Sequence, residues 1–188
     1  DDIREKYGLT DKKIILGVSS AWSRKKGLDT FLKVADCLKN DEIMLLVGNM
    51  PKISLPKNVI SVAATDSVNE LVKYYNAADV FFLPSFDELF PMTLLESMCC
   101  HKPILVRDLD LYPCILEGYY TAASDVDGFV RQLRALTDPA EHAAASARSA
   151  KGHQRYTKAA VLSYWKNCYA SLLPQTQPVP QARGDFRL

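Results

Sequence analysis

No run of apolar residues in this chain approaches the ~20 that a membrane-spanning helix needs. The first residues, DDIREKYG, are charged and lack the apolar core of a secretory signal. The five cysteines (Cys37, Cys99, Cys100, Cys114 and Cys168) include no C-x-x-C pair. That argues against a zinc site or a disulfide framework and for reduced, cytoplasmic thiols, several of them expected on apolar core faces. His101, His142 and His153 are scattered, so no metal site is expected. Charge of one sign is also missing. The 23 Lys and Arg balance 22 Asp and Glu to a net charge of +1, which gives no footprint for nucleic acid. There is no internal repeat. A G-x-G-x-x-G signature is absent from the first strand–helix loop, which counts against a dinucleotide oxidoreductase.

What is present is an ordinary globular composition, 48% hydrophobic, with enough length for one domain over residues 1–173. Residues 3–12 read as a short helix or linker. Short apolar strands are expected at 14–18, 43–47, 58–63, 79–83, 104–106 and near 119–122. Helices are expected between them. One opens at Gly27 with Leu28, Phe31, Leu32, Ala35 and Leu38 inward. Another is capped by Asp66 with Val68, Leu71, Tyr74 and Tyr75 inward. A third covers 91–100 with an apolar stripe of Leu94, Leu95, Met98 and Cys99. Helices at 112–117, 126–136, 139–152 and 157–173 follow. Strand alternating with helix predicts a doubly wound parallel sheet in a three-layer α/β/α sandwich. In the usual order 3-2-1-4-5-6, strands 1 and 4 are neighbours, and ligands bind at the carboxyl ends of such a pair.

The two loops brought to that switch point are the most informative in the chain. After strand 1 comes SSAWSRKKG, where Arg24, Lys25 and Lys26 precede a helix. A cationic cluster at a helix N-terminus can hold a diphosphate, although a solvated basic turn has the same composition. After strand 4 comes PSFDELFPMTLLESMCCHKP, residues 84–103. Pro91 suits a helix start, where its missing N–H costs nothing. Glu88 lies in the loop and Glu96 on the helix, on one face with Met92 and Thr93. Two carboxylates flanking a helix N-terminus suit a ligand with hydroxyls on either side of a phosphate, the layout of a nucleotide sugar. Two solvated surface glutamates are the competing reading.

The segment PSFDELFPMTLLESMCCHKPILV resembles the E-x7-E segment of the family-4 retaining glycosyltransferases. Pro84, Ser85, Glu88, Phe90, Leu95, Glu96, Met98, Pro103 and Val106 match it, and Lys26-Gly27 matches the Lys-Gly pair of the first loop. Pro91 replaces the usual Gly, and His101-Lys102 replaces a small or Gly pair. Ala21 and Trp22 stand where an Arg is usual, and Arg24 is taken to substitute. The resemblance implies the Rossmann-like C-terminal, donor-binding domain of a bacterial GT-B enzyme. It implies transfer of a hexose from a nucleotide diphosphate sugar, a UDP-sugar by similarity to UDP-using bacterial enzymes. Glu88 would hold the sugar, Glu96 the ribose, and Arg24 and Lys26 the diphosphate without a metal. Backbone N–H groups near Phe90, Met92 and Thr93 would cradle the phosphates. Val62 or Ala63 could meet the base through backbone atoms. The acceptor, a lipid or a glycan, would be bound by an N-terminal domain of about 170–200 residues. A fragment lacking that domain would be inactive. The enzyme would lie in the cytoplasm, associated peripherally with the inner face of the membrane. The alternative is a stand-alone nucleotide-binding or regulatory module, disfavoured because receiver-type domains need acidic residues after strand 1.

VRDLDLY, residues 106–112, is similar to a stretch of bacterial diacylglycerol glucosyltransferases. Asp108-x-Asp110 is read as turn or cap acids rather than a metal site. The stripe Leu162, Trp165, Tyr169, Leu172 and Leu173 on the last helix is expected to be partly exposed. Residues 174–188 are rich in Pro and Gln and read as a disordered tail, within which Arg183-Gly-Asp185 is a chance tripeptide.

Overall fold

The computed structural model describes residues 3–173; the expected disordered tail at 174–188 lies outside them. The described residues fall into two compact units, one ending at Gln154 and the other starting at Arg155. In the first unit α1 (Ile3–Lys6) leads into β1 (Lys13–Ala21), α2 (Leu28–Ala35), β2 (Glu42–Asn49), β3 (Val59–Val62) and α3 (Val68–Ala77). Then follow β4 (Val80–Leu83), α4 (Met92–Cys99), β5 (Ile104–Arg107), α5 (Tyr112–Leu116), β6 (Thr121–Ala123), α6 (Val126–Leu136) and α7 (Pro139–His153). The six strands are all parallel, in the order β3-β2-β1-β4-β5-β6. This is the doubly wound sheet the alternation predicts.

Side chains alternate between the two faces of each strand, and the buried residues divide accordingly. Ile14, Leu16, Leu45, Phe81 and Val106 face Tyr74 and Tyr75 of α3, Leu94 and Met98 of α4, and Tyr112 and Leu116 of α5. Ile15, Met44, Leu46, Phe82 and Leu105 face Phe31 and Val34 of α2 and Phe129 and Leu133 of α6. Because both faces are covered, the strands are continuous apolar runs rather than alternating ones. On the second face Trp22, Phe31, Phe82 and Phe129 form a file of edge-on contacts with centroids 4.8–5.0 Å apart.

Several local expectations are corrected. β1 runs on to Ala21 through an irregularity after Val18, where Ala21 pairs with Asn49. The N-cap of α3 is Ser67, not Asp66. Its Oγ accepts from the Glu70 N–H at 3.3 Å, and Glu70 reaches back to Thr65 Oγ1 at 2.6 Å. Val68, expected inward, is 74% exposed because it begins the helix on the solvent side. Cys99 points outward on α4 and Ser97 is buried in its place, its Oγ donating to the Leu94 carbonyl. None of the five cysteines is buried, against the expectation of core thiols; all are free, and Cys37, Cys99 and Cys114 are exposed.

The second unit contains α8 (Lys158–Leu172), capped by Thr157, whose Oγ1 accepts from the Ala160 N–H. Leu162, Trp165, Tyr169, Leu172 and Leu173 are exposed, as expected for part of the stripe. Trp165 packs beside Tyr164 and Tyr169.

Candidate functional site

The loops after β1 and β4 meet at the carboxyl ends of adjacent strands. Their backbones touch. The Phe86 N–H donates to the Lys25 carbonyl at 2.9 Å. Gly27, the N-cap of α2, has φ 79°, and a Cβ there would lie 2.6 Å from the Pro84 carbonyl oxygen. Only glycine satisfies both the left-handed backbone and the close approach. The glycine of the Lys26-Gly27 pair thus sets the distance between the two loops. Ser23 shapes the turn before it: its Oγ accepts from the Lys26 N–H, and its carbonyl from the Leu28 N–H.

With the backbones in register, consecutive residues form two ion pairs. Lys25 Nζ lies 2.7 Å from Asp87 Oδ2 and Lys26 Nζ lies 2.8 Å from Glu88 Oε1. The first pair is open to solvent. Asp87 holds the Lys25 ammonium above its ordinary pKa, and Lys25 holds the Asp87 carboxyl below its own, by their hydrogen bond and then by charge. In the second pair the Glu88 side chain is 8% exposed and that of Lys26 34%. Tyr112 lies beneath: its hydroxyl is buried without a partner among the described residues, and burial first, then the charge of Glu88, push its pKa up.

The helix after β4 begins at Met92 with Pro91 as N-cap. The Leu94 N–H donates to the Pro91 carbonyl at 3.1 Å, while those of Met92 and Thr93 have no partner one turn back within the helix and suit an anion. Met92 is exposed and Thr93 half-buried, with Glu96 half-buried on the same face. The Tyr75 hydroxyl of α3 donates to Glu96 Oε2 at 2.7 Å and lies 3.3 Å from the Thr93 carbonyl. Burial, and then this bond, push the Tyr75 pKa well above the usual tyrosine range. A carboxylate has about four lone-pair sites, so Glu96 keeps acceptor capacity while its orientation is fixed.

Of the sequence-predicted residues, the structure joins Lys26 directly to Glu88. It gives Glu96, Thr93 and Met92 one helix face. Phe90 is 44% exposed in the loop before α4. Arg24 is not brought to Glu88. Its side chain is 89% exposed and its nearest carboxylate is Asp29, at 3.8 Å. With Lys25, Phe86 and Asp87 it lines a cleft of about 470 Å3. Val62 ends β3, and Ala63 beyond it is exposed. Asp108 and Asp110 are exposed in the turn between β5 and α5, and among the described residues no three His, Cys, Asp or Glu gather as a metal site. No helix among the described residues is long and apolar enough to cross a membrane.

Three residues escaped sequence reasoning. Tyr75 reads as plain core by its spacing. Asp87 reads as a loop acid. Arg107 ends an apolar strand, Ile-Leu-Val-Arg, and that lone charge after three buried residues is the only signal it offers. Its guanidinium donates to the Pro84 carbonyl, the Ser124 carbonyl and Thr30 Oγ1. Burial lowers its pKa, but a guanidinium stays protonated.

Comparison with known proteins bears on the family and the fold. The chain is 36% identical over 137 residues to an alpha-galactosylglucosyldiacylglycerol synthase of Streptococcus pneumoniae, covering 65% of this chain and 36% of that protein. It is 27% identical over 125 residues to a processive diacylglycerol alpha-glucosyltransferase of Acholeplasma laidlawii, covering 60% of this chain and 36% of the relative. The chain therefore spans about a third of the length of these relatives. In fold it resembles the Anabaena protein Alr3699/HepE, solved in complex with UDP and glucose. The TM-score is 0.75 at 16% identity, over 90% of this chain and 51% of that one. Residues 12–138 match the family described as Glycosyl transferases group 1. The chain belongs to that family of glycosyltransferases, and its doubly wound sheet is the Rossmann-like domain of the GT-B architecture.

Proposed function

We propose that this chain is the donor-binding half of a retaining glycosyltransferase that transfers a hexose from a UDP-sugar. The observation that carries the reading is the Lys26–Glu88 pair, which joins the two switch-point loops at 2.8 Å. In the absence of donor each group satisfies the other. A bound donor replaces that contact: Lys26 turns to the diphosphate and Glu88 to hydroxyls of the sugar. Arg24, exposed on the same loop, closes over the phosphates from outside. The first N–H groups of α4, near Phe90, Met92 and Thr93, meet the phosphate oxygens. Glu96, oriented by Tyr75, accepts from the ribose. With two cations and a helix N-terminus to neutralise the leaving diphosphate, the reaction needs no metal, so EDTA leaves turnover unchanged.

The acceptor is a lipid or a glycan, held by an N-terminal domain of the same enzyme. Similarity to a galactosylglucosyldiacylglycerol synthase and a diacylglycerol glucosyltransferase supports a lipid acceptor. The exposed Trp165, Tyr169 and Leu172 of α8 support peripheral contact with the inner face of the membrane, which flotation with liposomes tests. The 188-residue chain by itself binds nucleotide and transfers no sugar.

Calorimetry on two variants tests the site. A hydrogen bond to a charged group contributes roughly 1.5–3 kcal/mol, so Glu96→Ala weakens UDP by about 10- to 100-fold. Glu88→Ala leaves UDP unchanged or slightly tighter, because Lys26 is released, and abolishes the extra affinity that the sugar confers. Equal loss of UDP in both variants refutes the division of labour. No loss in either folded variant leaves both residues with structural roles only and removes the basis of the reading.

A further inference from the structure

We infer that Arg107 is a positioning residue of the donor site, acting through Pro84 and Phe86; the inference rests on the donor-binding reading above. Arg107 is the last residue of β5, one strand away from the β4–α4 loop that carries Glu88. All three of its guanidinium nitrogens are used. Nε donates to the Pro84 carbonyl at 3.0 Å, Nη1 to the Ser124 carbonyl at 2.8 Å and Nη2 to Thr30 Oγ1 at 3.0 Å. The guanidinium lies 3.8 Å from the centroid of Phe86 and 5.4 Å from that of Phe129. One side chain therefore ties together the start of the β4–α4 loop, the lead into α6, the first turn of α2 and the end of the aromatic file Trp22–Phe31–Phe82–Phe129.

Two of the groups that Arg107 holds, the Pro84 carbonyl and the Phe86 ring, belong to the seam between the two loops. The Pro84 carbonyl is the one against which Gly27 abuts, and Phe86 donates its N–H to the Lys25 carbonyl. Moving either changes the register that sets Lys26 against Glu88. The three bonds all end on neutral oxygens, so a partly buried positive charge is kept here without a carboxylate partner among the described residues. An apolar residue could close the same gap without that desolvation cost. What only arginine supplies is a rigid planar fork that bonds three acceptors and stacks on a ring at once. Lysine keeps the charge and loses both the fork and the stack.

The test compares Arg107→Lys and Arg107→Ala with the parent 188-residue chain by two measurements. The first is hydrogen exchange of the Phe86 amide without ligand. The second is calorimetry with UDP. Both variants are expected to speed exchange at Phe86 and leave the amides of β2 unchanged. Both are expected to weaken UDP by about tenfold, the loss of roughly one directed bond. Arg107→Lys is expected to melt close to the parent, which separates positioning from general loss of stability. If Arg107→Ala fails to fold, Arg107→Lys decides alone. Parental exchange or parental UDP affinity in folded Arg107→Lys overturns the inference. If the parent itself binds no UDP, the donor reading fails, and the role of Arg107 in donor binding falls with it.

Discussion

Lys25–Asp87 and Lys26–Glu88 are neighbouring ion pairs between the same two loops, at 2.7 and 2.8 Å. By distance they are equivalent. By environment they are not: the side chains of the first are 66% and 62% exposed, those of the second 34% and 8%. Water competes fully for the outer pair and screens it, so its contribution to stability is small. The inner pair sits over Tyr112 in a less polar setting, where losing one partner strands the other. The difference teaches that one loop register makes both pairs, while burial decides which of them is costly to break.

The strongest way to break the comparison is to remove both pairs together. Gly27→Ala puts a Cβ against the Pro84 carbonyl in a left-handed backbone. The strain and the forced separation of the loops are expected to destabilise the chain by about 3 kcal/mol in urea unfolding. A variant as stable as the parent would mean that the close approach does not set the register. Next in size is Lys26→Met. It leaves the nearly buried Glu88 carboxylate alone and should destabilise by about 2 kcal/mol, below the range for a fully buried pair because Lys26 is a third exposed. Adding Glu88→Gln should recover most of that loss, and a double variant no better than Lys26→Met would show that charge is not the cause. Lys25→Met should unfold at the same urea concentration as the parent. If it costs as much as Lys26→Met, burial does not separate the two pairs.

The smallest effect is the pH dependence of the outer pair. The folded pKa of Asp87 is depressed, so its contribution is present above the pKa of an unfolded aspartate, near 3.9. It is lost as pH falls through the lower folded value. Lys25 has the opposite sign: its raised folded pKa gives stability below the unfolded lysine value that is lost as pH rises through the folded one. A carboxyl NMR titration should therefore find Asp87 below the usual aspartate midpoint, and 1 M salt should move it back toward that midpoint. A midpoint at the ordinary value in low salt would remove the outer pair from solution.

Much of this was legible in the residues. Residues 14–18, 43–47 and 79–83 are apolar enough to be strands covered on both faces, and strands are found there, the third starting one residue later at Val80. Their alternation with amphipathic helices was enough for the strand order, and the order was enough to bring SSAWSRKKG beside PSFDELFP. The errors cluster at element ends and at single side chains. Asp66 and Ser67 are both good capping residues, and only the path of the chain chose Ser67. Val68 and Cys99 have apolar character, but their angles around the helix put them outward. For Arg24, charge and loop position specify a neighbourhood and not a direction, and its side chain stands exposed beside Asp29.

The sequence by itself determined the architecture and which two loops meet at the switch point. Hydrophobic periodicity and turn chemistry are local, and parallel sheets with covered faces admit few arrangements. Two charged loops at a switch point follow from the order of strands alone. Only the tertiary structure decided the partners: Lys26 with Glu88, Lys25 with Asp87, Tyr75 with Glu96, and Arg107 with three oxygens on three different segments. These contacts join residues that are 17 to 77 positions apart along the chain. A hydrogen bond depends on distances of tenths of an ångström, and such distances are fixed by the packing of the two helical layers on the sheet, not by any local pattern.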